Sequence, residues 1–242
     1  MNQCCVVIVE GIIGAGKSFL TEELGKALGP NTLIQMEPDE KDQANPYLAD
    51  YYQDPDRWAF PMQTHLLQAR YRQHLNAQWH VLSHIGHSIL DRSFFGDTSF
   101  ARLQVCEGHM TEREYYTYQS LFKIMTASVL LPNFCIRLLV NPLTSARRIE
   151  GRMQQREGRK CERKIDLDYL KALDREIDHM TEVLRGQGVR VLEVPWDVER
   201  EDPEARNEAV QSLVGRINEY CPPDLFLNLK DDKMLQYYRR GV

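Results

Sequence analysis

Gly11-Ile12-Ile13-Gly14-Ala15-Gly16-Lys17-Ser18 has the spacing G-x-x-x-x-G-K-[ST]. A run of this kind can cradle phosphate. Glycine permits positive φ and close approach, so successive backbone N–H groups curl around an anion. The backbone of the cradle is Gly11, Gly14, Ala15 and Gly16. A helix N-terminus adds partial positive charge at the same point. Lys17 would reach the β/γ-phosphates, and the Ser18 hydroxyl would sit on Mg²⁺. The apolar run Cys4-Cys5-Val6-Val7-Ile8-Val9 precedes the motif, and Leu20, Leu24, Ala27 and Leu28 follow at helical spacing. Strand, glycine-rich turn and helix is the order this chemistry needs. The flanks therefore weigh against a chance glycine-rich turn.

Two further polar groups fall at the ends of apolar runs. Glu37-Pro38 closes the second run, and Pro38 biases Glu37 towards an extended backbone. Beside a phosphate cradle, such a carboxylate can orient or deprotonate an acceptor hydroxyl. Alone, Glu-Pro is an ordinary turn. Asp91-Arg92-Ser93 follows the third run. Asp91 can share Mg²⁺ with Ser18, and Arg92 can fork onto phosphate or steer Glu37. The bland alternative is a helix cap by Asp91 or Ser93.

These groups need a scaffold. Apolar runs at 4–9, 32–36, 87–90, 134–140 and 189–194 alternate with helical patterns near 17–28, 56–80, 94–106, 111–128, 142–156, 166–185 and 203–219. Alternation of this kind predicts βα units on a parallel sheet, with ligands beyond the strands' carboxyl ends. Asp54-Pro55 and Asn141-Pro142 read as helix starts, and Thr111 with Glu114 reads as a capping box. The run 147–164 is rich in Arg, Lys and Glu, which by itself describes a solvated helix face.

The chain has 242 residues, 27% of them charged and 43% hydrophobic, enough for one large α/β domain. A net charge of −5 supplies no general basic field, so a nucleic acid polymer is a disfavoured partner. No apolar run approaches the length of a membrane span and no leader pattern is evident, so no membrane partner is expected. The six cysteines form no C-x-x-C pair, which points away from zinc and towards reduced thiols in the cytoplasm.

Taken together, these motifs resemble the deoxynucleoside kinase family, which includes the deoxycytidine, deoxyguanosine and deoxyadenosine kinases. The resemblance runs over most of residues 5–200. It rests on the phosphate loop, Glu37-Pro38, the block Tyr51 to Gln63, the block Asp91 to Asp97, and an Arg-rich segment ending in Ile165 to Leu170. It implies a P-loop NTPase-type five-stranded parallel sheet over 1–221, a lid at about 147–164, and a C-terminal extension of unassigned role at 222–242. It implies transfer of the γ-phosphate of ATP, with Mg²⁺, to a deoxynucleoside 5′-hydroxyl by a homodimer. The 56–80 and 111–128 helices are candidates for that dimer's interface.

Carried over by residue, Glu37 resembles the base on the 5′-hydroxyl, with Arg92 its partner and Asp91 the Mg²⁺-side carboxylate. Tyr52 and Glu162 resemble the grip on the sugar 3′-hydroxyl. Gln63, Arg70 and Asp97 resemble the readers of the base edge. Arg159 resembles a lid arginine, while Arg156 and Arg152 are candidate phosphate clamps. An arginine delivered by a closing lid neutralises transferring charge and excludes water. An Arg–Asp pair beside Gln63 suits adenine, guanine or cytosine, although a structural ion pair has the same sequence signature. Phe94 is either a base-stacking ring or a core residue, and Trp58 and Tyr51 read as packing residues. Ile12 stands where the family usually has Asn, and the donor-base loop is expected near Asp197-Val198-Glu199. A nucleoside monophosphate kinase and a non-catalytic nucleotide-binding accessory protein are the alternative readings.

Overall fold

The structure is a computed structural model describing residues 4–38, 45–154, 165–197 and 201–220. Five strands are present among the described residues: β1 (Val6–Glu10), β2 (Leu33–Gln35), β3 (Ser88–Asp91), β4 (Phe134–Leu139) and β5 (Arg190–Pro195). They form one parallel sheet in the order β2-β3-β1-β4-β5. The central strands β1 and β3 are buried along their whole length. This is why β1 reads as a near-continuous apolar run, whereas β3 buries Ser88 and Asp91 at its ends.

The described helices are α1 (Lys17–Leu28), α2 (Leu48–Gln53), α3 (Pro55–Leu82), α4 (Asp97–Cys106), α5 (Glu112–Thr126), α6 (Pro142–Gln154), α7 (Leu167–Gly186) and α8 (Pro203–Asn218). Proline at the first position opens α3, where its fixed φ suits a helix and no N–H is missed. Thr111 and Glu114 form the expected capping box on α5. Asp166 caps α7 by accepting from the Tyr169 N–H.

Two local readings need correction. Helix α2 was not anticipated, because six residues are too short for a periodic signal. Tertiary packing holds it: Tyr51 joins Ala59, Met62 and Leu66 of α3 in a small apolar cluster beside Tyr47, Leu48, Tyr52 and Trp58. Helix α4 begins at Asp97 rather than 94. Residues 93–96 are instead a turn, with the Gly96 N–H donating to Ser93 Oγ.

Arg156, Arg159, Glu162 and the remainder of the lid segment from 155 to 164 lie outside the described residues. So do Val198-Glu199 of the expected donor-base loop and the extension 222–242.

Candidate active site

Parallel strands place all their carboxyl ends on one side. The phosphate loop after β1, Glu37 after β2 and the Asp91-Arg92 turn at the end of β3 therefore converge. They line one cleft of ≈ 520 Å³, which also takes in Tyr52, Gln63, Arg70, Phe100, Gln104, Arg152 and Tyr169.

The loop has the backbone its sequence demands. Gly14 and Gly16 lie at φ 79° and 98°. A Cβ on Gly14 would also fall 2.8 Å from the Ser145 carbonyl of α6. The loop is braced from within: the Ala15 N–H and Lys17 Nζ both donate to the Ile12 carbonyl, each at 3.2 Å. Arg148 of α6 braces it from outside, donating to the carbonyls of Ala15, Trp196 and Asp197. Gly11 packs against Leu138. Burial and the nearby Arg92 charge bring the Lys17 amine down to about 8, against the pull of Glu37, Asp91 and Glu10.

Ser18 Oγ donates to Asp91 Oδ2 at 2.5 Å. Asp91 is buried, and its Oδ1 has no hydrogen-bond partner among the described residues. Burial raises its pKa, and Lys17 opposes that rise. Two hard oxygens side by side, one unsatisfied, fit Mg²⁺ shared with phosphate oxygens and water.

Glu37 Oε1 accepts from Arg92 Nε at 2.8 Å and from Arg70 Nη2 at 2.7 Å. Arg92 thus steers Glu37, one of the two roles its sequence position allows. Arg92 lies at φ 67°, a costly backbone for a non-glycine residue. The turn is held by Glu10, which is fully buried at the end of β1. Glu10 Oε1 accepts from the Ser93 N–H at 2.9 Å and from Ser93 Oγ at 2.6 Å. A Cβ on Gly96 would come within 2.3 Å of that carboxylate.

Gln63 and Arg70 lie two turns apart on one buried face of α3. Both converge on Asp97, the first residue of α4. Asp97 Oδ1 pairs with Arg70 Nη1, while Oδ2 accepts from Gln63 Nε2 at 2.8 Å and from Tyr118 Oη at 2.6 Å. The carboxylate is therefore fully engaged. Gln63 Oε1 and Arg70 Nε are left without partners among the described residues. One acceptor and one donor thus stay unused beside the cleft, on side chains that Asp97 orients.

The structure brings together Lys17, Ser18, Glu37, Tyr52, Gln63, Arg70, Asp91, Arg92 and Asp97. Phe94 is core, stacked on Phe122 with ring centroids 4.5 Å apart. Phe100 faces the cleft instead, beneath the Arg92 guanidinium at 4.3 Å. Tyr51 packs as expected but also lines the cleft. Asp197 accepts from the Asn141 N–H, so its carboxylate serves a loop contact. Sequence reasoning assigned no role to Glu10, Phe100, Tyr118, Arg148 or Tyr169. Glu10 alone had a signal, its place at a strand end. The others reach the site only through tertiary packing.

A model of the deoxynucleoside kinase family matches residues 7–222. A deoxyguanosine kinase of Dictyostelium discoideum is 32% identical over 192 residues, covering 79% of this chain and 64% of the relative's length. A deoxyadenosine kinase of the same organism is 30% identical over 220 residues, covering 90% of this chain and 83% of that one. The structure of an M. mycoides deoxyadenosine kinase with bound dATP superposes with a TM-score of 0.68 at 23% identity. It covers 89% of this chain and 100% of that chain. That likeness shows the fold, a P-loop parallel sheet. The chain belongs to the deoxynucleoside kinase family, a family of ATP-dependent kinases.

Proposed function

We propose that the chain transfers the γ-phosphate of ATP to the 5′-hydroxyl of a deoxynucleoside whose base carries an exocyclic amine. One observation carries this reading. A carboxylate gripped by two arginines opens into the same cleft as a phosphate loop with its lysine and its serine, the serine hydrogen-bonded to Asp91.

Each group has a role in the transfer. Glu37 accepts the proton of the attacking hydroxyl, and its two arginines, both donating to Oε1, fix the orientation of the carboxylate. Lys17 and the backbone N–H groups of the loop neutralise charge on the triphosphate. Ser18 and Asp91 would hold Mg²⁺, which would supply further neutralisation of the triphosphate charge. Arg152 of α6 already lines the cleft and is a phosphate clamp, with Arg156 and Arg159 following it in sequence. Tyr52 and Glu162 hold the sugar.

The amine preference follows from Gln63. Its Nε2 is committed to Asp97, so its Oε1 is the end left as an acceptor, on a residue that lines the cleft. An exocyclic amine beside a ring nitrogen matches the Gln63 acceptor and an Arg70 donor, and the Arg70–Asp97 pair is one that a thymine reader would not need. Deoxyadenosine, deoxyguanosine and deoxycytidine all carry such an amine.

A homodimer is part of the same reading. Trp79, near the end of α3, and Tyr116 and Ile124 of α5 are 62%, 72% and 72% exposed. Large apolar side chains gathered on neighbouring helices suit burial against a second copy. Light scattering on the purified protein checks this, and a monomer at micromolar concentration counts against it.

Incubation of the purified protein with Mg-ATP and each of the four deoxynucleosides tests the activity. The expected products are 5′-monophosphates, with thymidine the poorest substrate. Folded protein that makes none of them refutes the proposal. Phosphorylation of nucleoside monophosphates instead would favour the monophosphate kinase reading.

A further inference from the structure

Gln104 of α4 is 1% exposed yet lines the cleft. Its Nε2 donates to Tyr51 Oη at 2.7 Å. Its Oε1 has no hydrogen-bond partner among the described residues. A buried amide end left in this state is costly unless a group entering the cleft completes it.

Its surroundings say which group. Tyr51 also hydrogen-bonds Tyr169, from the first turn of α7. The Tyr51 ring lies 5.2 Å from that of Tyr52. Tyr169 in turn sits within electrostatic reach of Tyr52 and Arg92. Gln104 therefore belongs to the Tyr52 end of the cleft. It stands two helical turns along α4 from Asp97, roughly 10 Å from the base-reading end.

The Tyr51 hydroxyl both donates and accepts, so it does not dictate which amide end it takes. Either way, one buried end of Gln104 is left without a partner among the described residues, on a side chain that lines the cleft. A hydroxyl completes an amide oxygen or an amide N–H equally well. A carbonyl or an amine completes only one of them. A deoxynucleoside has two hydroxyls, and the primary one goes to Glu37 and Arg92.

We infer that Gln104, anchored by Tyr51, is a specificity residue that hydrogen-bonds the secondary hydroxyl of the substrate's sugar. The inference rests on the kinase reading above. It adds a contact from α4 to a hydroxyl that Tyr52 approaches from α2.

The test compares Gln104→Leu with the unaltered protein on a deoxynucleoside and on the 2′,3′-dideoxynucleoside of the same base. Kd is measured by calorimetry and kcat/KM by product formation. For the deoxynucleoside, the leucine variant should lose about tenfold in kcat/KM, mostly through KM. For the dideoxynucleoside, which lacks the hydroxyl, the loss should stay within about twofold. Equal losses on both would mean that Gln104 only supports the fold. A loss under about twofold on the deoxynucleoside would mean that the amide contacts something else, such as a buried water. Either result overturns the inference while leaving the kinase reading intact. An unaltered protein that phosphorylates no deoxynucleoside would instead overturn the kinase reading and this inference with it. Tyr51→Phe keeps the ring and removes the anchor, so it carries the same comparison if the leucine variant does not fold. Its expected loss is about threefold on the deoxynucleoside alone, and equal losses on both substrates would again overturn the inference.

Discussion

Replacing Asp97 by Asn tests the base-reading network with almost no change of volume. Asp97 is fully buried and receives three donors: Arg70 on one oxygen, Gln63 and Tyr118 on the other. Asparagine has one oxygen and one NH₂. If the oxygen faces Gln63 and Tyr118, the NH₂ points at a guanidinium. If it faces Arg70, two donors meet a donor. At least one charge-assisted bond is lost, worth about 1.5–3 kcal/mol, and a buried arginine loses part of its neutralisation. Arg70 keeps Glu37, so a total near 3 kcal/mol is reasonable for this site. For a chain of this size that lowers Tm by about 6–12 °C. The functional effect is separate. With Asp97 neutral, Gln63 is free to turn its amide, and discrimination against thymidine should fall by about tenfold. Thermal melts at pH 7 and kcat/KM for deoxyadenosine, deoxycytidine and thymidine measure both effects. A Tm within about 2 °C of the unaltered protein, with the same substrate ranking, would refute the network as drawn.

Three further outcomes are expected. Glu37→Gln should cut kcat by about 10² or more with nucleoside KM changed only a few-fold, and near-normal turnover would remove Glu37 as the base. Lys17 is held near 8 when buried and titrates near 10.5 when exposed, so the unfolded chain binds more protons between those values. The cost of burying its charge is thus greatest below pH 8 and fades as pH rises towards 10.5. Lys17→Met should abolish turnover yet raise Tm at pH 7, with the gain shrinking in melts run above pH 8; a pH-independent Tm difference would count against the buried charge. Gly96→Ala should cost at least tenfold in kcat, because its Cβ would collide with the Glu10 carboxylate that holds the Arg92 turn. Unchanged activity in that variant would show the turn to be more tolerant than its packing implies.

The sequence determined the scaffold and the phosphate end of the site. Five short apolar runs alternating with helical patterns specify a parallel sheet, because the central strands bury both faces and each crossover needs a helix. The glycines of the phosphate loop, Lys17 and Ser18 are local chemistry, legible because one turn of backbone carries all of it. Glu37 and Asp91-Arg92 were legible as strand-end polar groups beside a phosphate loop, and the resemblance to a family sharpened the roles proposed for them. Helix α2 was invisible because six residues carry no period and its stability comes from packing on α3. Tertiary structure alone decided how the other end of the cleft is wired. Tyr118 is 21 residues from Asp97, and Gln104 is 53 from Tyr51, yet each pair shares a hydrogen bond. No local pattern encodes such pairs. Side chains on α2, α3, α4 and α5 meet only after the helices dock, and burial then forces each polar atom to find a partner or to wait for the substrate.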